Sequence, residues 1–573
     1  MLVLLLAGSL VALLALIALA SLMGVRGVRV ALAPDGIRGI AVPAAPAPAP
    51  RDSWAPIEAG LRHLSRNVRG RDAKTLRRIY EERGFRPFWV TPDSLSDGGR
   101  SLVMHLAGPS WERLWSEERR LTEIGHLLDR AYPGPSEARV HHIPELEWAL
   151  SRAFLLRANR LLEGRRPPPR ARGSWSIRDR SHDMVQVFGR VDEIGVSETL
   201  QDLGRSHERY TSLRRALAYY QSIERAGGWI AIEDGAALES GDRSERVLAL
   251  RRRLRVTRDL EGRSESIRFD TEVETSVRRF QERHGLNPDG RVGSRTLAAL
   301  NVPVEQRVRQ LEINLERRRW LPASLGEEFV WVNIPEFRLR AFRTGRAVLD
   351  LPVVVGAPST PTPSFEDEIE MAVLNPYWNV PESIAASEIA PRAATDPSYL
   401  ERASFEILDS RGSLVPSEDF RAADLEGGRY RIRRKPGPAN DLGRIKFMFP
   451  NEHGVYLHDT PSRHLFERET RAFSHGCIRL GRPLELARYL FPERFREGEL
   501  EHEVAGGPER TLPLDRPVPI YIVYFTAWRS DDGMVHFRDD IYGHDEELWS
   551  DLREDRSLET ADTALGLFSS DFE

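Results

Sequence analysis

Cysteine is almost absent. Cys477 is the only one in 573 residues, which excludes an internal disulfide and leaves one thiol to explain. Lysine is nearly absent too, confined to Lys74, Lys435 and Lys446, so arginine carries almost all the positive charge. Net charge is small, −4 at pH 7 with 29% charged residues, which argues against nucleic acid or another polyanion as partner. Charged side chains are missing altogether from Met1 to Val25, a run of mostly Leu, Ala and Val. About 20 such residues suffice to span a bilayer, and the run reads as an uncleaved membrane anchor. A cleaved signal sequence is the rival reading, although only the α-amino group could serve as its basic end. Arg26 and Arg29 come next, on the side that the positive-inside rule assigns to the cytoplasm, so charge alone does not orient the body.

What is present centres on the stretch from Tyr456-Leu457-His458-Asp459 to Ser474-His475-Gly476-Cys477-Ile478-Arg479. A thiol is a poor nucleophile until it ionises, at a free pKa of ~8.5. Imidazole is the side chain suited to take that proton near neutral pH. One thiol with His475 and His458 in a short window therefore has the parts of a nucleophile and its base. Val455 to His458 reads as a strand end, Ser474 to Cys477 as a tight turn eased by Gly476, and Leu484 to Leu490 as a helix. Such a turn aims backbone N–H groups at one spot, where they can hold an oxyanion. The alternative is that Cys477 is simply a small buried hydrophobe. Zinc is not favoured, because there is one thiolate and no His-x-x-x-His pair.

Several domains are expected at this length. After a Pro/Ala-rich linker (26–53), whose Ala41 to Pro50 tract is extended and semi-rigid, residues 54–235 read as helical. Leu146, Leu150 and Phe154 share one face, and Thr211 to Ile223 is amphipathic. The Phe85 to Trp89 aromatic cluster reads as a small core. Residues 240–303 form a compact unit with helical faces at Val247-Leu250-Leu254 and Val273-Val277-Phe280, and a breaker-rich turn from His284 to Gly290. From 320 to 545 strand alternation dominates, with a bend at Pro335-Glu336 and a helical, Pro-containing insertion at about 382–440. Residues 546–573 are acidic and expected to be disordered.

His458, fifteen intervening residues, then Ser474-His475-Gly476-Cys477-Ile478-Arg479 resembles the signature of YkuD-type L,D-transpeptidase domains. Phe280-Gln281, Asp289-Gly290 and Thr296-Leu297 through Leu300 resemble a peptidoglycan-binding domain 1 repeat. The segment from Asn375 to Pro381, the loop from Pro436 to Gly443 and the strand through Tyr524 to Trp528 resemble the YcbB-like multidomain group, whose insertion caps the active site. The resemblance implies a multidomain α+β chain: a helical scaffold, a three-helix peptidoglycan-binding-like module and a mostly-β catalytic domain with a helical cap. It implies Cys477 as nucleophile, His458 as base, and His475 either polarising the thiol or binding substrate. Ser474, Gly476 and Cys477 would form the oxyanion site, and Arg479, Tyr456, Trp378 and Asn440 would contact substrate. No cofactor or metal is expected. The partners implied are peptidoglycan stem peptides, donor and acceptor, and the inner membrane through residues 1–25, in the periplasm of a Gram-negative bacterium. The implied reaction is 3→3 cross-linking with release of D-Ala. Lipoprotein attachment and stem hydrolysis use the same fold and stay open. So do a wall cysteine peptidase, which would normally place Cys before His in the chain, and a non-catalytic anchoring protein.

Overall fold

A computed structural model describes residues 30–33, 36–40, 54–69, 71–107, 115–132, 136–162, 175–177, 183–205, 208–322, 324–396, 398–416, 429–496 and 498–552. The apolar run at 1–25, the Pro/Ala tract and the acidic tail beyond 552 lie outside them, as does the middle of the insertion. Within the expected linker, Val30–Ala33 and Gly36–Ile40 pair as an antiparallel hairpin. Among the described residues no helix is long and apolar enough to cross a membrane. The chain divides into two compact units, one of residues 1–166, 180–211 and 551–573, the other of 167–179 and 212–550.

Apart from that hairpin, the described residues of the first unit are mainly helical. Its core gathers Tyr80, Phe88, Trp89, Phe154 and Phe188, whose rings meet edge-on or tilted at 4.8–6.3 Å. The buried carboxylate of Glu147, on the helix Ser136–Leu162, organises that core. It accepts the backbone N–H of Phe88 (2.7 Å), Trp89 (2.9 Å) and Val90 (3.1 Å) and the Tyr80 hydroxyl (2.6 Å). Unpaired, each of those buried donors would cost about 1–3 kcal/mol. The aromatic cluster is thus the small core that the sequence suggests, with a polar brace that it does not.

In the second unit the helices Glu245–Val256, Thr271–Arg283 and Ser294–Asn301 form the three-helix module around Leu250, Leu254, Val277 and Phe280. The motif residues brace its breaker-rich turn. The Gln281 amide donates to Asp289 Oδ1 (2.7 Å), the Arg291 carbonyl (2.9 Å) and Thr296 Oγ1 (3.1 Å), and accepts the Gly290 N–H (2.9 Å). The module is tied to the C-terminal part of the same unit. Arg283 pairs with the buried Asp259 and donates to the Val535 carbonyl (3.1 Å), while Arg538 donates to the Arg283 carbonyl (2.9 Å).

The C-terminal part of the second unit is built on strands β1 (Glu328–Asn333), β2 (Arg338–Arg343), β3 (Arg346–Gly356), β4 (Ser364–Leu374), β5 (Ile445–Met448), β6 (Leu457–His458), β7 (Ala472–Ser474), β8 (Ile478–Leu480) and β9 (Arg510–Val523). Helix α1 (Pro483–Leu490) comes after β8. The expected bend is a 3₁₀ turn, Ile334–Glu336, ended by Phe337 in the left-handed region (φ +57°). The sheet order β5-β6-β8-β3-β2-β1-β9-β4 closes because β5 also pairs with β4. Closure removes the free edges and buries one face of every strand. Val330, Val332, Leu339, Leu351, Val353, Ile520 and Ile522 are fully buried there, each worth ~1.5–3 kcal/mol. Short Trp175–Ser176 adds in parallel beside β4.

The insertion is not purely helical. Besides short helices from Glu382 to Arg402 it holds a four-stranded sheet that includes Trp378–Asn379, Phe405–Leu408 and Arg431–Arg434. Arg433 and Glu406 stand opposite each other in it and pair at 2.7 Å.

Candidate active site

Two short parallel strands, β6 and β8, carry His458 and Arg479. His458 and Arg479 are register partners, so both side chains stand on one face. Cys477 precedes β8, in a turn between two strands rather than between a strand and a helix; α1 comes only after β8. The turn needs Gly476, whose φ is +111°.

Inside the turn, Ser474 Oγ accepts the Gly476 N–H (3.1 Å) and donates to the Cys477 carbonyl (2.5 Å). The Gly476 N–H is therefore spent within the turn, which corrects its expected place in the oxyanion site. The Cys477 N–H has no partner among the described residues and remains available. Residues that the sequence did not flag fix its direction. Thr362 Oγ1 donates to the Gly476 carbonyl (2.7 Å) and accepts the Gly356 N–H (2.9 Å), while Tyr542 donates to the Gly356 carbonyl (2.6 Å). Thr360 Oγ1 donates to the Ser474 carbonyl (3.0 Å). Their signal was faint: a breaker-rich run, Gly356 to Pro363, between two strands.

The Cys477 thiol donates to the Gly454 carbonyl across 3.8 Å. Burial pushes the thiol up, and the neighbouring Tyr456 opposes that shift. His458 is buried, and its Nδ1 lies 2.5 Å from the Asp459 carbonyl. A carbonyl can only accept, so Nδ1 carries the proton and Nε2 is the free base. Burial, then the nearby Arg479, hold this imidazole down to about 3. Thiol and imidazole are thus both uncharged at rest. Asp459 itself is clamped: Oδ2 accepts the Arg444 N–H (2.8 Å), Oδ1 accepts the Thr460 N–H (2.7 Å), and Arg463 pairs with it. Gly443 (φ +59°) packs directly on that carboxyl.

His475 turns elsewhere. Its Nε2 lies 2.9 Å from Glu388 of the insertion, and half of the side chain is exposed. Arg479 has a buried Nε with no hydrogen-bond partner among the described residues. Tyr456 is at the sulfur. Trp378 packs in the insertion against Phe405 (6.4 Å) and below Arg434. Asn440 is buried and committed to backbone groups, donating to the Pro376 and Lys435 carbonyls (3.0 Å each) and accepting the Leu442 N–H (2.8 Å). It shapes the loop and has no amide group left for a substrate. Among the described residues no three His, Cys, Asp or Glu side chains converge as metal ligands.

Comparison with known proteins bears on this geometry. Residues 327–494 match the L,D-transpeptidase catalytic domain (YkuD), residues 74–217 a scaffold domain, and residues 243–300 the "Putative peptidoglycan binding domain". A Haemophilus influenzae protein named "Putative L,D-transpeptidase" is 33% identical over 242 residues, 42% of this chain and 48% of that protein. The match thus spans about half of that relative's length. Two solved structures are similar at lower identity: an L,D-transpeptidase from Mycobacterium smegmatis (15% identity, 34% of this chain and 58% of that one, TM-score 0.17) and Mycobacterium tuberculosis L,D-transpeptidase 1 (16%, 34% and 61%, TM-score 0.15). Overlays that loose carry no argument. The catalytic match encloses His458 and Cys477, and the chain carries a YkuD L,D-transpeptidase catalytic domain together with a peptidoglycan-binding domain 1 module.

Proposed function

We propose that the chain cross-links peptidoglycan as an L,D-transpeptidase acting through a Cys477 thioester. The observation that supports this most is the only thiol of the chain, held in a braced turn that leads into the strand paired with that of a buried neutral His458, whose Nε2 is left as acceptor. His458 takes the thiol proton as sulfur attacks the carbonyl joining the third stem residue to the terminal D-Ala. The C–S bond forms, and the developing oxyanion is met by the Cys477 N–H. Collapse breaks the C–N bond, and the imidazolium returns its proton to the leaving amine of D-Ala. The side-chain amine of a second stem's third residue, diaminopimelate in a Gram-negative wall, attacks the thioester. A 3→3 amide forms and the thiol is regenerated. Arg479, with no carboxylate bound to it among the described residues, would meet a carboxylate of the stem. The binding module would hold the enzyme on its polymer, on the periplasmic side of the inner membrane.

The test is incubation of purified protein with disaccharide-tetrapeptide and mass analysis of protein and products. Expected are a thioester adduct lacking D-Ala, then a cross-linked dimer. Cys477→Ser and Cys477→Ala should give neither while staying folded, and a carbapenem should add once, only to protein with the thiol. Tripeptide as sole product would make the protein a carboxypeptidase. Wall binding without an adduct would make it an anchoring protein.

A further inference from the structure

The register places a second cation beside the base. Across adjacent strands one row runs Val373 (β4), Lys446 (β5), His458 (β6), Arg479 (β8), Val354 (β3). Directly opposed residues share a face, so Lys446 and Arg479 flank His458 on its own side of the sheet. With strands ~4.8 Å apart, their backbones stand ~10 Å apart.

Neither cation has found an anion among the described residues. Among the described residues no carboxylate is within ion-pair reach of Lys446 or Arg479, and Arg479 Nε is buried and unpartnered. The acids that each feels are engaged elsewhere. Glu509, nearest Lys446 in effect, accepts the Tyr377 N–H (2.9 Å); Asp441 pairs with Arg434, and Glu388 with His475. Burial lowers both the Lys446 ammonium and the Arg479 guanidinium, the mark of desolvation left uncompensated. Lys446 is also the exception among the lysines of this chain. Lys74 and Lys435 are exposed, and Lys446 is half-buried.

We propose that Lys446 is the second of two carboxylate subsites flanking His458, and that it makes the enzyme select donor stems whose third residue keeps a free side-chain carboxylate. The assignment rests on the transpeptidase reading and deepens it. In that reading two free carboxylates lie on opposite sides of the scissile carbonyl: that of the terminal D-Ala and that at the end of the third residue's side chain. Two cations on opposite sides of the base match them in sign and arrangement. Arg479 offers a planar fork and Lys446 a compact ammonium on a flexible stem. A carboxamide in place of the side-chain carboxylate would leave the Lys446 ammonium unneutralised.

The test uses the full chain and two synthetic disaccharide-tetrapeptides that differ only at that group, carboxylate against carboxamide. Acyl-enzyme formation is followed by intact mass at several donor concentrations. Wild type should favour the carboxylate donor by about tenfold or more, the worth of one charge-assisted hydrogen bond. Lys446→Met should bring the ratio close to one, and Lys446→Arg should restore most of it. A lysine that served only to hold His458 neutral would change both donors alike. No discrimination by wild type, or a wild-type ratio in Lys446→Met, overturns the proposal. If neither donor acylates wild-type Cys477 while iodoacetamide still alkylates it, the transpeptidase reading falls and this proposal with it.

Discussion

The Thr362 hydroxyl donates to the Gly476 carbonyl across 2.7 Å, which fixes the plane of the peptide that carries the Cys477 N–H. The same oxygen accepts the Gly356 N–H at 2.9 Å, and Gly356 lies so close to the Thr360–Thr362 backbone that no Cβ fits there. The Cys477 turn is therefore held from a strand end more than a hundred residues upstream.

Thr362→Val keeps the shape and removes both bonds. It should destabilise the domain by about 1–3 kcal/mol, from the buried Gly356 N–H and Gly476 carbonyl left unpaired. It should also slow acylation by about tenfold. Thr362→Ser should recover both. Urea unfolding read together with acyl-enzyme rates checks this; a Val variant with normal acylation would remove Thr362 from the aiming of Cys477.

His458 and His475 should separate cleanly. His458→Gln should cut turnover by about 10²–10⁴, the usual worth of a general base. His475→Gln should cost less than ~10-fold, since its contact is a half-exposed pair with Glu388 of the kind that contributes little. The pH profile of Cys477 alkylation should move with the first variant and stay put with the second. The opposite pattern would exchange their roles.

Acid should weaken the second unit through its buried imidazoles. Burial is the largest cause holding His284 well below the usual value, His458 at about 3, His536 at about 4 and His544 below normal. Each folded value lies below the unfolded one of ~6.5. The stability that each contributes is therefore present above ~6.5 and is lost as pH falls toward the folded value, because only the unfolded chain takes the proton. Stability should drop between about pH 6.5 and 4, and each His→Gln change should flatten the slope by up to ~1.4 kcal/mol per pH unit. Denaturant midpoints at a series of pH values give the slope; an unchanged slope in His458→Gln would mean that this ring is not held neutral.

Gly443→Ala should act on His458 from a distance. A Cβ there would collide with the Asp459 carboxyl, and φ +59° disfavours alanine besides. Moving Asp459 disturbs the carbonyl that fixes the His458 tautomer. Activity should fall more than stability, with the alkylation profile shifted as in His458→Gln. A loss of stability alone would confine Gly443 to packing.

The sequence by itself determined what is local. Strand alternation at Val330-Val332 and Ile520-Ile522, helix faces such as Leu250-Leu254, and the thiol-histidine motif all lie within one continuous stretch, where side-chain period and residue type are enough. The strands of the insertion were harder to see, because Phe405–Leu408 and Arg431–Arg434 are too short to show a period. Tertiary structure alone decided which distant residues meet at Cys477. Pairing register sets Lys446 beside His458 and His458 beside Arg479, and a slip by one residue would turn each side chain to the other face. The fold also sends His475 to Glu388, ties Asn440 to the Pro376 carbonyl and brings Thr362 under the turn. Those outcomes depend on contacts between segments far apart in the chain, and no local periodicity encodes them.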